Sequence, residues 1–323
     1  AAVTVLIVEL RPHRRVAAFV GLALLVTLNH EPFFETLWKQ QAETAILLLL
    51  ALSIVCIRRE RDGVAGALLG LAIMLKIYPA ALAAYFVVRR RFAALAWCAI
   101  TLALVTVATT IVFGLRENAV YFLQILPGMV GEVPIATSEN LSLGRYARTI
   151  FGIGPGAAEH VVRALAVVLL GVTALVVHRA RGREREPLAF GAFVPLFLLV
   201  MPNSWVSYQL LLLVPLVAVL KFAAEHPERA AAPLALVAAA GVSLLFYWPC
   251  AAPEVPWPCA RTPFVLGLFR LPRGLHDLLV DARIVATLLT WAAVLLALRD
   301  DRHSRVARVP PATPEKSMPS EMT

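Results

Sequence analysis

Of the 323 residues, 60% are hydrophobic and only 16% charged, with a mean hydropathy of +0.77. Soluble domains are about half apolar and about a quarter charged, so this surplus exceeds what one globular core can hide and a soluble fold is excluded. Disordered, collagen-like, coiled-coil and disulfide-scaffold classes fall on the same figures. The net charge of +9, from 30 Lys and Arg against 21 Asp and Glu, would suggest nucleic acid in a soluble protein. Here the basic residues cluster at the ends of apolar runs, which marks membrane topology, and no nucleic-acid partner is expected.

The chain opens inside an apolar run, 1–10, with no initiator Met and no cleavable signal pattern, and reads as a fragment whose upstream part is missing. Further runs follow at 16–29, 45–57, 64–88, 92–113, 161–178, 188–201, 208–222, 231–248 and 282–298. Several fall short of the ~20 residues of a perpendicular span, so they need flanking residues or shielding by protein. The expected architecture is all-α: a polytopic transmembrane helical bundle over 1–298, then a cytoplasmic, disordered tail over 299–323. Basic clusters at 11–15, 58–61, 89–91, 179–185, 221–229 and 299–308 hold nineteen of the 30 Lys and Arg. The longer loops 30–44, 114–160, 202–207 and 249–281 hold seven. The bias assigns the clusters to the cytoplasm and these loops to the outside.

Run 64–88 has 25 residues and lies between two cytoplasmic clusters. One span would separate them, and two full spans would need about 40 residues. The spacing therefore predicts a broken, re-entrant helix pair, with the break at Lys76-Ile77-Tyr78-Pro79, where Pro79 lacks an N–H and disfavours a helical Tyr78. Non-helical backbone at membrane depth must be surrounded by protein or line a cavity. An intramembrane lysine there is a functional candidate, against the alternative of a lysine snorkelling from a helix end.

Loop 30–44 carries Glu31, Glu35 and Glu43, with Gln40 and Gln41 just before an apolar helix; it reads either as a polar ligand-facing entrance or as a solvated interfacial loop. The long loop 114–160 holds Arg116, Asn140, Ser142, Arg145, Tyr146 and Arg148. An amphipathic stretch near 118–126 suits a membrane surface, and 138–146 reads as a helix start capped by Ser138 or Asn140. Its arginines suit a phosphate, or the segment simply covers the bundle. Loop 202–207 is short, placing Ser204, Trp205 and then Tyr208 at the tight top of a hairpin, as sugar-stacking groups or interface anchors. Cys250 and Cys259 flank a Pro-rich outer segment and suggest a disulfide in an oxidising compartment. No nucleotide, hydrolase or metalloprotease motif and no Asp-x-Asp occurs, and neither metal nor cofactor is expected.

Taken in order, Trp38-Lys39-Gln40-Gln41-Ala42-Glu43, Gly70 through Lys76-Ile77-Tyr78-Pro79, the triple Arg89–Arg91, Asn140-Leu141-Ser142-Leu143 and Pro202-Asn203-Ser204-Trp205-Val206-Ser207-Tyr208 form a familiar series. Over roughly 38–222 the chain resembles bacterial polyprenyl-phosphate-mannose-dependent integral-membrane glycosyltransferases, glycosyltransferase family 87, of GT-C fold. The family's Gly-Gln-x-Asn stands here as Gln40-Gln41-Ala42-Glu43, and its usual histidine after Ser-Trp is replaced by Ser207 and Tyr208. The resemblance implies inverting transfer of a hexose, mannose first, from a polyprenyl-phosphate sugar to a glycolipid or glycan acceptor, on the outer face of the bacterial cytoplasmic membrane. For such a donor the expected phosphate site is Lys76, Tyr78 and Arg145, with sugar or acceptor contacts expected at Gln41, Asn140, Ser142, Ser204, Trp205 and Tyr208. The family's catalytic carboxylate is expected upstream of Ala1, with Glu43 and Glu35 as weaker substitutes. A transporter or flippase of lipid-linked sugars would share the broken segment and its lysine, and a non-catalytic membrane subunit is the second alternative, suggested by the missing carboxylate loop.

Overall fold

The computed structural model describes residues 1–12, 15–28, 31–130, 140–149, 152, 154–180, 182–244 and 273–299. The Cys250–Cys259 pairing, Ser138 and the tail from 300 onward lie outside the described residues. The protein is an all-α helical bundle, and the β structure among the described residues is one isolated antiparallel bridge, Asn140 to Trp205.

Five helices open the chain: α1 (Ala2–Glu9), α2 (Val16–Leu28), α3 (Glu31–Trp38), α4 (Glu43–Arg58) and α5 (Asp62–Leu75). A 3₁₀ turn at Tyr78–Leu82 leads into α6 (Ala83–Val88), followed by α7 (Phe92–Phe113). Two short helices, α8 (Leu115–Val120) and α9 (Leu126–Val130), flank a π-helical turn at Tyr121–Ile125. Next come α10 (Leu143–Thr149), α11 (Pro155–Arg179), α12 (Glu186–Gly191) and α13 (Phe193–Val200). A second 3₁₀ turn, Val206–Leu212, enters α14 (Leu213–Glu225), and α15 (Ala231–Leu244) and α16 (Arg273–Leu298) complete the order.

Proline sets where the apolar runs break. A helical proline has no N–H for the carbonyl four residues earlier and its ring strikes that carbonyl. Pro79 addresses Leu75, where α5 ends; Pro195 addresses Gly191, where α12 ends; Pro215 addresses Leu211, inside the second 3₁₀ turn. The expected break in 64–88 is therefore present, whereas run 188–201, read as one segment, is two helices. Loop 30–44 also differs from its loop reading, because α3 occupies most of it; Pro32 stands in its first turn, where a missing N–H is tolerated.

The broken segment is re-entrant. The 14 residues of α5 rise about 21 Å, and the 3₁₀ turn plus α6 return by about 19 Å. Both limbs are short of a ~30 Å hydrocarbon core, and they close where Arg91 pairs with Asp62. The basic clusters gather at this end. Arg58 and Arg59 meet Glu9, Arg183 meets Glu60, Arg89 and Arg91 meet Glu186, and Lys221 meets Glu184 at 2.8 Å. We call it the basic end.

Burial separates core from lipid-facing helices. The apolar stretch Val206–Glu225 is 94% buried, whereas those of α7 and α11 are 6% and 17% buried while being equally apolar. Helix α14 is thus the axis of the bundle, packed by α2, α12, α15 and α16. Helices α7 and α11 turn their side chains outward, as only a surface facing hydrocarbon permits. Helix α5 bridges the two regions through glycines: a Cβ at Gly66 would stand 1.9 Å from the Ala94 carbonyl oxygen, and one at Gly70 would stand 2.9 Å from that of Cys98. Close approach of backbones through small residues is how helices associate without a hydrophobic drive.

Candidate functional site

At the end opposite the arginines, three separated segments converge on Lys76. The first is the α3–α4 turn. There the Gln40 N–H bonds the Leu37 carbonyl and the Gln41 N–H bonds the Thr36 carbonyl at 3.0 Å, with Gln40 at φ +50°. This closure ends α3 in the manner that usually employs glycine. It leaves Gln41 beside Glu43, the first residue of α4, where the helix dipole favours an anion.

The second segment is the break itself. Lys76 is extended (φ −154°, ψ 140°) just past α5. Its Nζ donates to Gln41 Oε1 at 2.8 Å and to Glu43 Oε1 at 2.5 Å. Glu43 is fully buried, and the lysine side chain is 24% exposed. The sequence leaves Lys76 in want of a partner, with phosphate proposed; its partner within the chain is Glu43. Single burial of either charge would cost several kcal/mol, so they are retained together.

The third segment is 202–208. Tyr208 lies under the ammonium, 4.7 Å from ring centroid to Nζ, and stacks on Tyr78 at 4.6 Å; Tyr78 in turn stacks on Phe197 at 5.6 Å. The ring face adds a cation–π contact to the ion pair. Gln41, Glu43, Lys76, Tyr78 and Tyr208 thus form one cluster.

A second set packs alongside. Asn140 is completely buried; its Oδ1 accepts from the Ser142 and Ser204 N–H groups at 3.1 and 2.9 Å, and its Nδ2 donates to the Pro202 carbonyl and Asn203 Oδ1. The Leu141 N–H bonds the Ser204 carbonyl at 2.7 Å beside the bridge to Trp205. Asn140 is therefore the staple joining the long loop to the 202–205 turn, not a helix cap. Ser142 is the cap: its Oγ accepts the Arg145 N–H at 3.2 Å at the start of α10. Arg145 is buried on that helix with its guanidinium 4.9 Å from the Tyr146 ring centroid. The backbone of Glu35 lies in α3, and its side chain is outside the described residues.

Three buried oxygens at this end, Glu43 Oε2, Tyr78 Oη and Ser204 Oγ, have no hydrogen-bond partner among the described residues. Buried polar atoms without partners are where water or a ligand's hydroxyls complete the bonding. Two supports escaped the sequence reading. Thr36 Oγ1 reaches the Ser207 carbonyl at 3.3 Å, tying α3 to the 206–212 turn, and Thr287 Oγ1 donates to the buried Gln209 Oε1 at 2.9 Å. A threonine inside an apolar helix is ordinarily bonded to its own backbone, so periodicity gives no hint of either; a glutamine inside an apolar run was the one available sign.

No solved structure matches this chain. A curated relative from Mycolicibacterium smegmatis, a polyprenol-phosphate-mannose-dependent alpha-(1-2)-phosphatidylinositol pentamannoside mannosyltransferase, is 32% identical over 172 residues. The aligned stretch covers 52% of this chain and 41% of the relative, so the chain spans less than half of that protein's length. The profile of glycosyltransferase family 87 matches residues 1–202, which include α1 to α13, the helix break, the Asn140 staple and the start of the 202–208 turn. The chain belongs to glycosyltransferase family 87.

Proposed function

We propose that the protein takes part in transfer of a hexose, mannose first, from a polyprenyl-phosphate donor to a glycolipid or glycan acceptor, with the Lys76 end of the bundle facing the outside of a bacterial cytoplasmic membrane. The observation carrying this reading is the Lys76 ammonium at the helix break, held by Glu43 and Gln41 over the Tyr208 ring. Family membership and the relative's dependence on polyprenol-phosphate-mannose, stated in its name, support the donor class.

On this reading the donor phosphate approaches Lys76 as a second anion and shares it with Glu43. The acceptor oxygen attacks the anomeric carbon, its proton passes to a carboxylate base, and the bond from that carbon to the phosphate oxygen breaks. Charge accumulates on the leaving phosphate, where Lys76, the Tyr78 hydroxyl and Arg145 are the donors we assign to it. Glu43 holds the ammonium in place between turnovers; its Oε1 is committed to Lys76, and we assign the acceptor proton to another carboxylate. Gln41, Asn140, Ser142, Ser204, Trp205 and Tyr208 are assigned to the sugar and acceptor, Tyr208 by its ring and Asn140 by holding the 202–205 turn.

The test is transfer by the full-length protein in nanodiscs with polyprenyl-phosphate mannose. Because Lys76→Ala alone strands a buried carboxylate, the informative variant is Lys76→Ala with Glu43→Gln. Transfer should fall at least a hundredfold in that variant while its melting temperature stays within a few degrees of the parent. Full transfer by the double variant would sink the assignment.

A further inference from the structure

The basic end holds a cavity of about 530 Å³ lined by Arg89, Arg90, Arg91, His178, Asp62 and Glu186, among others. It lies at the far end of the bundle from Lys76 and has no part in the proposed transfer. Its volume falls within the roughly 300–1,000 Å³ usual for small-molecule sites.

The charges around it do not close on themselves. Arg91 is the best satisfied, bonded to Asp62 and 3.3 Å from Glu186 Oε1. Glu186 Oε2 already accepts the Tyr85 hydroxyl. Arg89 approaches that same oxygen at 3.5 Å without a hydrogen bond, and its Nε and Nη2 are buried with no partner among the described residues. The Arg89 side chain is only 9% exposed, so bulk solvent reaches little of it. Arg90 is exposed, at φ +54°, and has no ion pair among the described residues. Three guanidiniums and an imidazole thus face two carboxylates, and the excess donors include buried ones. Ordinary topology-marking arginines are solvated; a nine-tenths-buried guanidinium with unmet N–H groups points to an anion supplied from outside the chain.

The surroundings select the kind of anion. Next in the chain to the lining residues Val88 and Arg91 stand Val87 and Phe92, 55% and 65% exposed, and three residues before His178 on α11 stands Leu175, 49% exposed. These apolar side chains continue the outward faces of α7 and α11. A phosphate seated on Arg89 and Arg90 would have hydrocarbon chains attached on the side where the protein offers apolar surface. We propose that this pocket binds the headgroup phosphate of a net-anionic glycerophospholipid from the adjoining leaflet.

The experiment uses the full-length protein, delipidated in detergent, with native mass spectrometry reading bound lipid across a titration. Phosphatidylglycerol is compared with phosphatidylcholine, and inorganic phosphate forms a third arm read by thermal shift. Phosphatidylglycerol should bind at least tenfold more tightly than phosphatidylcholine. Arg89→Gln and Arg90→Gln should each lower that preference roughly fivefold, and Arg163→Gln, which alters an exposed pair with Glu159 on α11, should leave it unchanged. If Arg89→Gln fails to fold, Arg90→Gln, whose side chain is exposed, carries the test. Equal binding of the two lipids overturns the proposal, as does a preference that survives both substitutions. Phosphate stabilising the protein with the same arginine dependence, while phosphatidylglycerol binds no better than phosphatidylcholine, would make the ligand a soluble phosphate and overturn the lipid assignment.

Discussion

Gln40 stands where the family's pattern carries glycine, and the backbone there is left-handed, φ +50°. An L-residue gives up about 1–2 kcal/mol in that region, which glycine avoids. Gln40→Gly is therefore expected to raise stability by about 1 kcal/mol, seen as a higher melting temperature in detergent; a lower one would mean the glutamine side chain holds the turn. The neighbouring ion pair behaves in the opposite sense. Lys76→Ala leaves Glu43 buried and unpaired, which costs about 3–5 kcal/mol, while Lys76→Ala with Glu43→Gln should recover most of it. Strict additivity in this cycle would show that the two side chains do not interact. The need of Lys76 for a partner was legible in the sequence, since an ammonium amid 25 mostly apolar residues cannot stand alone. The identity of that partner was not, because Glu43 lies 33 residues away and only the folded turn brings it within 2.5 Å.

The helix break at Lys76 was readable because proline chemistry and run length agreed there. The same chemistry at Pro195 went unread, since run 188–201 was short enough to pass for one element and its flanks carried no conflicting charge. Helix α3 was hidden for a different reason: eight residues with two glutamates and three aromatics have the composition of an interfacial loop, and only docking against the 206–212 turn makes them an element. Glycine spacing on α5 was also silent, because a glycine reveals its purpose only through what stands opposite. Here the opposite atom is a carbonyl oxygen. Gly66→Ala would place a methyl 1.9 Å from it, so α5 and α7 must part, at about 1–3 kcal/mol. Gly171→Ala on α11, where an added Cβ meets nothing within 4 Å, should be neutral or slightly stabilising. Equal melting temperatures for the two variants would mean that α5 and α7 do not pack as closely as described.

The orientation we propose for the whole molecule rests on one element that connects both ends. Helix α7 begins at Phe92, directly after the arginine triple, and its 22 residues rise about 33 Å, enough to cross a ~30 Å hydrocarbon core. Its outward side chains are apolar throughout and only 6% of its apolar stretch is buried, so it has no alternative surface to lie against. Whatever side Arg90 occupies, Arg116 on α8 must occupy the other. We propose that the charge bias decides which: the basic end gathers residues of four of the six basic clusters into ion pairs, and cytoplasmic retention of Lys and Arg would place that end inside. Both Arg90 and Arg116 are exposed, unlike Asn140, whose burial makes it a poor reporter. In a background without the four cysteines, a membrane-impermeant maleimide should label a cysteine replacing Arg116 in intact cells. It should reach one replacing Arg90 only after permeabilisation. The reverse pattern would invert the membrane orientation and with it the outward site. Labelling of both from outside would break the stronger claim, that the re-entrant pair returns the chain to the face it left and α7 alone then carries it across.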